Sequence, residues 1–223
     1  MDPHNRDAQG KWEIVRLTVG PLQTNCYLVA DIADGKAAVI DPGDETWKIR
    51  HALAMHEWSP AWVLVTHGHF DHMAACGELA AAAGCPIALH PADLPLWWMH
   101  GGADIFNLKI PDQPEPQHPL KEGEMLSVGT LSFEVILLPG HSPGGVGFYA
   151  REPGWLFSGD TVFADGGVGR SDLLGGNESE LKESIAKILR LPETVEVFPG
   201  HGSRLTVESL RMVWGDLLTD TQT

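Results

Sequence analysis

Apolar residues along the chain fall into short runs, and clusters of Gly, Pro, Asp and Ser separate them. Runs at 12–19, 26–31 and 37–40 predict three opening strands, with Gly35 in the turn before the third. Asp41-Pro42-Gly43 then breaks the sheet. Trp47, Ile49 and Leu53 recur at helical spacing, which predicts a helix over 46–57. A short buried strand at 61–65 is followed by an alanine-rich helix over 73–83, stopped by Gly84, and by a strand at 86–90. Residues 91–119 carry Trp97-Trp98-Met99 and Gly101-Gly102 among several prolines, a composition that predicts a short helix and a long loop. The adjacent tryptophans read either as packing or as an apolar wall for a substrate.

The second half continues in strands. Residues 125–128 and 131–138 predict a hairpin around Gly129-Thr130, and 146–151 with 155–157 a second, turning at Glu152-Pro153-Gly154. A glycine-rich loop covers 165–176. An amphipathic helix is predicted over 177–191 with Asn177 as its cap, then a strand at 195–198 and a closing helix at 206–218. No linker or repeat divides the chain, so the expected organisation is a frayed polar tail, 1–11, and one domain, 12–223.

The candidate chemistry sits where apolar runs end. Trp62-Val63-Leu64-Val65 leads straight into Thr66-His67-Gly68-His69-Phe70-Asp71-His72. Neutral imidazole and carboxylate are ligands for Zn, Fe and Mn. His67 and His69 alternate along an extended segment and so point the same way, while Asp71 and His72 fall at the start of the 73–83 helix. The same event recurs: residues 135–138 lead to His141, 155–157 to Asp160, 195–198 to His201, and 39–40 to Asp41. Strand ends on one edge of a layered α/β structure are where sites are built, and the Gly and Pro beside each candidate supply turns that aim a side chain. His67, His69, Asp71, His72, His141, Asp160 and His201 are too many donors for one ion. They suit two ions that share a carboxylate, as in sites where metals lie roughly 3.5–4 Å apart around one water or hydroxide. Asp41 reads either as a support that accepts a proton from a ligand imidazole or as a simple turn aspartate. His51, His56, His90, His100 and His118 are expected to be non-ligands.

Composition narrows the partners. Fifteen basic and 30 acidic residues give a net charge of −15, which argues against nucleic acid and against anionic lipid as partners. No apolar stretch approaches the roughly 20 residues that span a bilayer, and the first residues lack a signal-peptide pattern. With Cys26, Cys76 and Cys85 in no metal-type spacing, the expectation is a cytoplasmic protein with reduced core thiols.

Taken together, Thr-His-Gly-His-Phe-Asp-His at 66–72, Pro-Gly-His at 139–141, Ser-Gly-Asp at 158–160 and Pro-Gly-His-Gly at 199–202 resemble the metallo-β-lactamase superfamily. The resemblance runs from Asn25-Cys26-Tyr27 to the last helix. It implies an α/β (α+β) fold, an αββα sandwich of two mixed β-sheets flanked by helices, with metals at one edge. Within the superfamily the chain looks most like glyoxalase II and its short relatives. Asp160 stands where true β-lactamases commonly carry a cysteine, and Gly169-Arg170-Ser171-Asp172-Leu173 resembles the Gly-Arg-Thr-Asp-Phe loop of the short hydrolases. Ser142 replaces a more usual threonine, and 165–168 is slightly longer than the common form. The helical C-terminal extension that holds glutathione in full-length glyoxalase II has no counterpart, so the chemistry is expected to carry over better than the substrate.

The resemblance implies that His67, His69 and His141 hold one divalent metal and Asp71, His72 and His201 a second, with Asp160 bridging. Zn is the expected metal, with Fe or Mn as alternatives. The implied reaction is attack of a bridging hydroxide on a small-molecule thioester such as S-lactoylglutathione. Asp71 would orient the hydroxide or accept a proton. Arg170 at the mouth would either hold a substrate carboxylate or staple its loop to Asp172. Persulfide dioxygenases share most of these motifs and resemble mononuclear iron sites, here His67, His141 and Asp160; the Pro-Gly-His-Gly ending leans toward hydrolase. Lactonases of this fold often place a tyrosine over the metals, and neither Tyr27 nor Tyr149 falls in the expected loop.

Overall fold

The structure is a computed structural model and describes residues 5–218. Every residue of the strand Thr24–Asp31 is buried, and period-2 alternation sorts its side chains onto two faces. Tyr27 and Val29 enter one apolar cluster with Trp12, Phe133 and Phe157; Cys26, Leu28 and Ala30 enter another with Ile49, Leu53 and Leu79. The sheet is therefore covered on both faces, once by a second sheet and once by helices.

The first sheet runs β1 (Asn5–Arg6), β2 (Trp12–Val19), β3 (Thr24–Asp31), β4 (Lys36–Ile40), β5 (Ser59–Leu64), β6 (Ile87–Leu89) and β7 (His118–Pro119) in that order, antiparallel as far as β4 and parallel beyond it. Helices α1 (Thr46–Met55), α2 (Phe70–Met73), α3 (Cys76–Ala83) and α4 (Leu94–Trp98) belong to this half. The second sheet holds β8 (Met125–Val128), β9 (Leu131–Leu137), β10 (Val146–Ala150), β11 (Trp155–Gly159), β12 (Glu196–Pro199) and β13 (Leu205–Thr206) as neighbours in that order, with β11 and β12 parallel and the other pairs antiparallel. Its outer face is covered by α5 (Glu178–Leu189) and α6 (Val207–Trp214) through Leu181, Ile185, Val207 and Leu210. Two mixed sheets flanked by helices are the αββα layers that the sequence implied. No helix among the described residues is long and apolar enough to cross a membrane.

Three expectations are corrected. The tail expected over 1–11 is ordered from residue 5. Asn5 and Arg6 pair with Ile14 and Glu13, and the buried Asp7 closes the turn by accepting from the backbone amides of Gln9 (3.0 Å) and Trp12 (2.7 Å); residues 1–4 of that tail lie outside the described residues. The helix expected over 73–83 is two helices, because Ala75 N donates to Pro42 O at 3.0 Å rather than to the preceding turn. The first of the two begins at Phe70, so Asp71 and His72 lie inside it. The closing helix starts at Val207 and passes into a 3₁₀ turn at Gly215–Leu218, with Thr206 and Ser209 forming a reciprocal capping box.

This topology sends one set of strand ends to one edge. β4 and β5 are parallel, as are β11 and β12, and β9 lies antiparallel to β10, itself antiparallel to β11. The C-terminal ends of β9, β11 and β12 thus emerge together. Backbone bonds join the two sheets at that edge: Val146 N to Thr66 O (2.8 Å) and Asn25 N to Gly200 O (2.7 Å), with a bridge between Thr24 and His201. Tyr27 Oη, buried between the sheets, donates to Pro199 O at 2.6 Å.

Candidate metal centre

Each candidate donor leaves a strand end at this edge, and the structure brings all seven together. His67 and His69 follow β5, and Asp71 and His72 occupy the short helix α2. His141 lies in the loop after β9, Asp160 follows β11, and His201 follows β12. Three groups of donor atoms fall within 4.8 Å of one another: His67, His69 and His141; His67, His72 and Asp160; Asp71, His72 and His201.

Hydrogen bonds at the far ring nitrogens fix which lone pairs face inward. Thr66 Oγ1 donates to Asp41 Oδ2 (2.7 Å), so its contact with His67 Nδ1 (3.0 Å) is one in which the imidazole donates. His72 Nδ1 donates to Asp41 Oδ2 (2.9 Å), and His141 Nδ1 donates to the carbonyl of Arg170 (2.7 Å). All three rings therefore present a bare Nε2 to the centre. His67 Nε2, His72 Nε2 and Asp160 Oδ1 are buried without any hydrogen-bond partner. Such orphans are rare in a folded interior. His69 Nδ1 also faces His141 Nε2 at 2.9 Å, with the His141 lone pair already committed to that side. A divalent cation satisfies these donors together, so the residues fit a metal.

Electrostatics point the same way. Burial, the largest single influence on Asp71 and Asp160, favours protonation, yet the surrounding imidazoles outweigh it and hold both carboxyls well below the usual range. Burial likewise disfavours charge on His72 and His201, but Asp71 and Asp160 overcome it, raising His72 well above its ordinary value and His201 to about 9. Where histidines neighbour one another the balance reverses: burial first, then His141 and His72, bring His69 down to about 3. The half built on Asp71, His72, Asp160 and His201 thus calls for added positive charge, and His67 and His69, which burial and the neighbouring imidazoles keep from protonating, offer neutral lone pairs.

Asp41 does more than turn the chain. Its backbone adopts a left-handed φ of 51°, which a non-glycine residue takes at a cost. In that pose its carboxylate accepts from Thr66 N and Thr66 Oγ1 (both 2.7 Å) as well as from His72 Nδ1. Arg170 lies on the mouth of the cavity beside the centre, and its guanidinium makes a fork with Asp172, Nε to Oδ1 and Nη2 to Oδ2, each 2.8 Å. The fork leaves both side chains mostly exposed. His90, His100 and His118 lie outside the three donor groups: His90 caps a 3₁₀ turn, His100 meets Asp112 and His118 meets Glu124. Burial pushes the thiols of Cys26, Cys76 and Cys85 up, which keeps them protonated.

One residue of the site was missed. Asp93 is fully buried, and its Oδ2 accepts from Gly68 N (2.8 Å) and Ser142 Oγ (2.7 Å) while Oδ1 accepts from Gly144 N (2.5 Å). It clips the loop of His67 and His69 to the loop of His141. The strand-end rule points to it, since Asp93 follows β6, the parallel neighbour of β5. Substituting Asp93→Ala strands three buried donors at about 1–3 kcal/mol each before relaxation. With relaxation leaving about 3 kcal/mol, the low end of that total, the expected result is a melting temperature lower by roughly 6–12 °C and a 10–100-fold weaker metal affinity, read by calorimetry and by competition with a chromogenic chelator.

Two facing sheets with a His/Asp metal site on their shared edge define a metal-site protein of the αββα class. Residues 19–201 match the family described as the metallo-beta-lactamase superfamily, and the chain belongs to it. Among relatives, the probable metallo-hydrolase YqgX of Bacillus subtilis is 36% identical over 204 residues, 88% of this chain and 92% of that protein. The hydroxyacylglutathione hydrolase GloC of Haemophilus influenzae is 34% identical over 87% of this chain and 92% of its own. Of solved structures, the BLEG-1 B3 metallo-beta-lactamase superposes with a TM-score of 0.85 at 32% identity, covering 92% of this chain and 99% of that one. TTHA1623 in a di-iron-bound form gives 0.80 at 40% identity, covering 89% and 96%. The chain is a metal-dependent hydrolase of this superfamily.

Proposed function

We propose that the protein is a binuclear thioester hydrolase of the glyoxalase II kind, acting on a small-molecule thioester. The observation that carries this reading is the pair of donor sets joined through one carboxylate. Asp160 lies 3.5 Å from His72 Nε2, 3.7 Å from His141 Nε2 and 3.5 Å from His201 Nε2. His67, His69 and His141 would hold one ion, Asp71, His72 and His201 the other, and Asp160 both. The name of GloC, a hydroxyacylglutathione hydrolase, supports the thioester, and the di-iron form of TTHA1623 supports two ions without choosing zinc, iron or manganese for this chain.

When bound, divalent metal supplies hydroxide near neutral pH and positive charge for a carbonyl oxygen. The chain's own residues do the rest. Asp71 lines the cavity and is held by the hydroxyl of Thr24 at 2.8 Å and by His201 at 3.2 Å, in place to orient the attacking oxygen. Asp41 and the Arg170 carbonyl keep His72 and His141 in the tautomer that leaves Nε2 free. A thiolate, from a thiol of pKa near 8.5, leaves without a strong general acid, and the reading assigns none.

Elemental analysis of protein purified without added metal, paired with hydrolysis of S-lactoylglutathione and of a neutral acyl thioester, tests this. About two ions per chain and thioester cleavage are expected. One iron per chain with oxygen uptake on glutathione persulfide would sink the reading in favour of a sulfur dioxygenase.

A further inference from the structure

The cavity that opens onto the metal centre has a volume of about 550 Å³, within the 300–1,000 Å³ of small-molecule sites. Its floor carries His69, Asp71, His141, Asp160 and His201. Its rim has a different character. Leu22, Trp98, Met99, Ile105, Phe106 and Leu174 line it and are between 45% and 70% exposed, so large apolar side chains are gathered on one concave surface. Isolated exposed apolar residues are ordinary; a contiguous set around a cleft marks a binding surface.

The backbone presses this rim against the centre. Gly101 has a left-handed φ of 58°, and a Cβ there would fall 2.1 Å from Phe70 N and 2.6 Å from His69 C. Only glycine lets the 98–106 segment lie directly on the backbone of a donor residue. The tryptophan pair divides accordingly: Trp97 is buried and donates to Pro114 O at 3.0 Å, while Trp98 faces the cavity. Phe106 leans on Phe70 with ring centroids 5.6 Å apart.

Cationic provision is slight by contrast. Among the described residues that line the cavity, Arg170 is the sole lysine or arginine, and its guanidinium is forked with Asp172. Glutathione brings two carboxylates, and the described lining offers no second lysine or arginine to meet them. We infer that the substrate carries an apolar arm, an acyl chain of medium length, which lies along the rim from Leu22 to Leu174 while its thioester carbonyl reaches the floor. This rests on the thioesterase reading and assigns the acyl side, not the thiol carrier, as what the enzyme recognises.

The test is a series of S-acyl-N-acetylcysteamine thioesters, acetyl to octanoyl, alongside the same acyl groups on glutathione, with metal-loaded protein. Transfer of one methylene onto an apolar surface changes a rate or binding constant by up to about fourfold. Expected is a two- to fourfold rise in kcat/KM per added methylene, with the neutral carrier at least equal to glutathione. In the double variant Ile105→Asp, Leu174→Asp the octanoyl-to-acetyl ratio should fall at least tenfold. Binding of the uncleavable S-octyl thioether of N-acetylcysteamine to metal-free protein, followed by calorimetry, should weaken by a similar factor. A flat or falling chain-length series, a tenfold preference for the glutathione carrier, or an unchanged ratio in the double variant would overturn the inference and leave thioester hydrolysis standing. Failure to cleave any thioester in the series would instead remove the reading beneath it.

Discussion

Replacing Asp160 by asparagine is expected to lower metal content from about two ions per chain to about one, because it removes the one carboxylate that faces both donor sets, and to cut kcat/KM on the order of 10³-fold, beyond the 10–100-fold typical of a supporting residue. The argument is geometric and electrostatic. Asp160 faces imidazoles of both donor sets, and its Oδ1 is buried with no hydrogen-bond partner. Asparagine keeps the shape, removes the charge and puts an amide donor where lone pairs already converge. Against the pull of burial, His201 loses one of the two carboxylates that raise it and His72 one of three, Asp41 and Asp71 remaining. Folding should survive, because the packing around β11 through Trp155 and Phe157 is untouched. Elemental analysis, steady-state kinetics and a thermal melt of the metal-free variant check the three parts. Two retained ions with near-normal turnover would mean that Asp160 does not join the halves.

The strands were legible because period 2 and turn chemistry agree. β2, with its alternation, and β8, closed by Gly129, have the bounds that the residue pattern predicts. The donors were legible for a related reason. Gly and Pro at a strand end let the chain turn sharply, and a ligand placed there lands on the common edge whatever its position in sequence. What escaped depends on partners remote in the chain. The split of the 73–83 helix needs the carbonyl of Pro42, and nothing within 73–83 encodes it. Asp93 reaches Gly68 and Gly144 across 25 and 51 residues, and its own neighbours give it the look of a helix-start aspartate. Which tryptophan of the pair packs and which faces the cavity was equally silent, since the rotation of a five-residue helix decides it. Of the two roles read for Arg170, the staple is the one seen: its guanidinium forks with Asp172, and it does so on the cavity mouth.

The glycines around the centre permit a test that separates space from backbone conformation. Gly200 is held from both sides, its N–H donating to Gly159 O at 3.0 Å and its carbonyl accepting from Asn25 N at 2.7 Å. A Cβ at this position would fall 2.1 Å from Asp160 Oδ1 and 2.6 Å from His72 Cε1. Because the backbone is pinned between two sheets, the donors must yield in Gly200→Ala, and interiors packed at crystal density have little slack to absorb the shift. A displacement near 1 Å costs about 10²-fold in rate, so kcat/KM should fall by about that factor while the circular dichroism spectrum stays unchanged. Gly202, two residues on, poses the opposite case. Its φ of 76° is left-handed, and a Cβ there would meet open space, with no described atom within 4 Å. Gly202→Ala should therefore lose roughly 1 kcal/mol of stability through conformational strain and keep its metal. If Gly202→Ala were the more damaging of the two for metal retention, the close approach at Gly200 would not be what sets the donors in place.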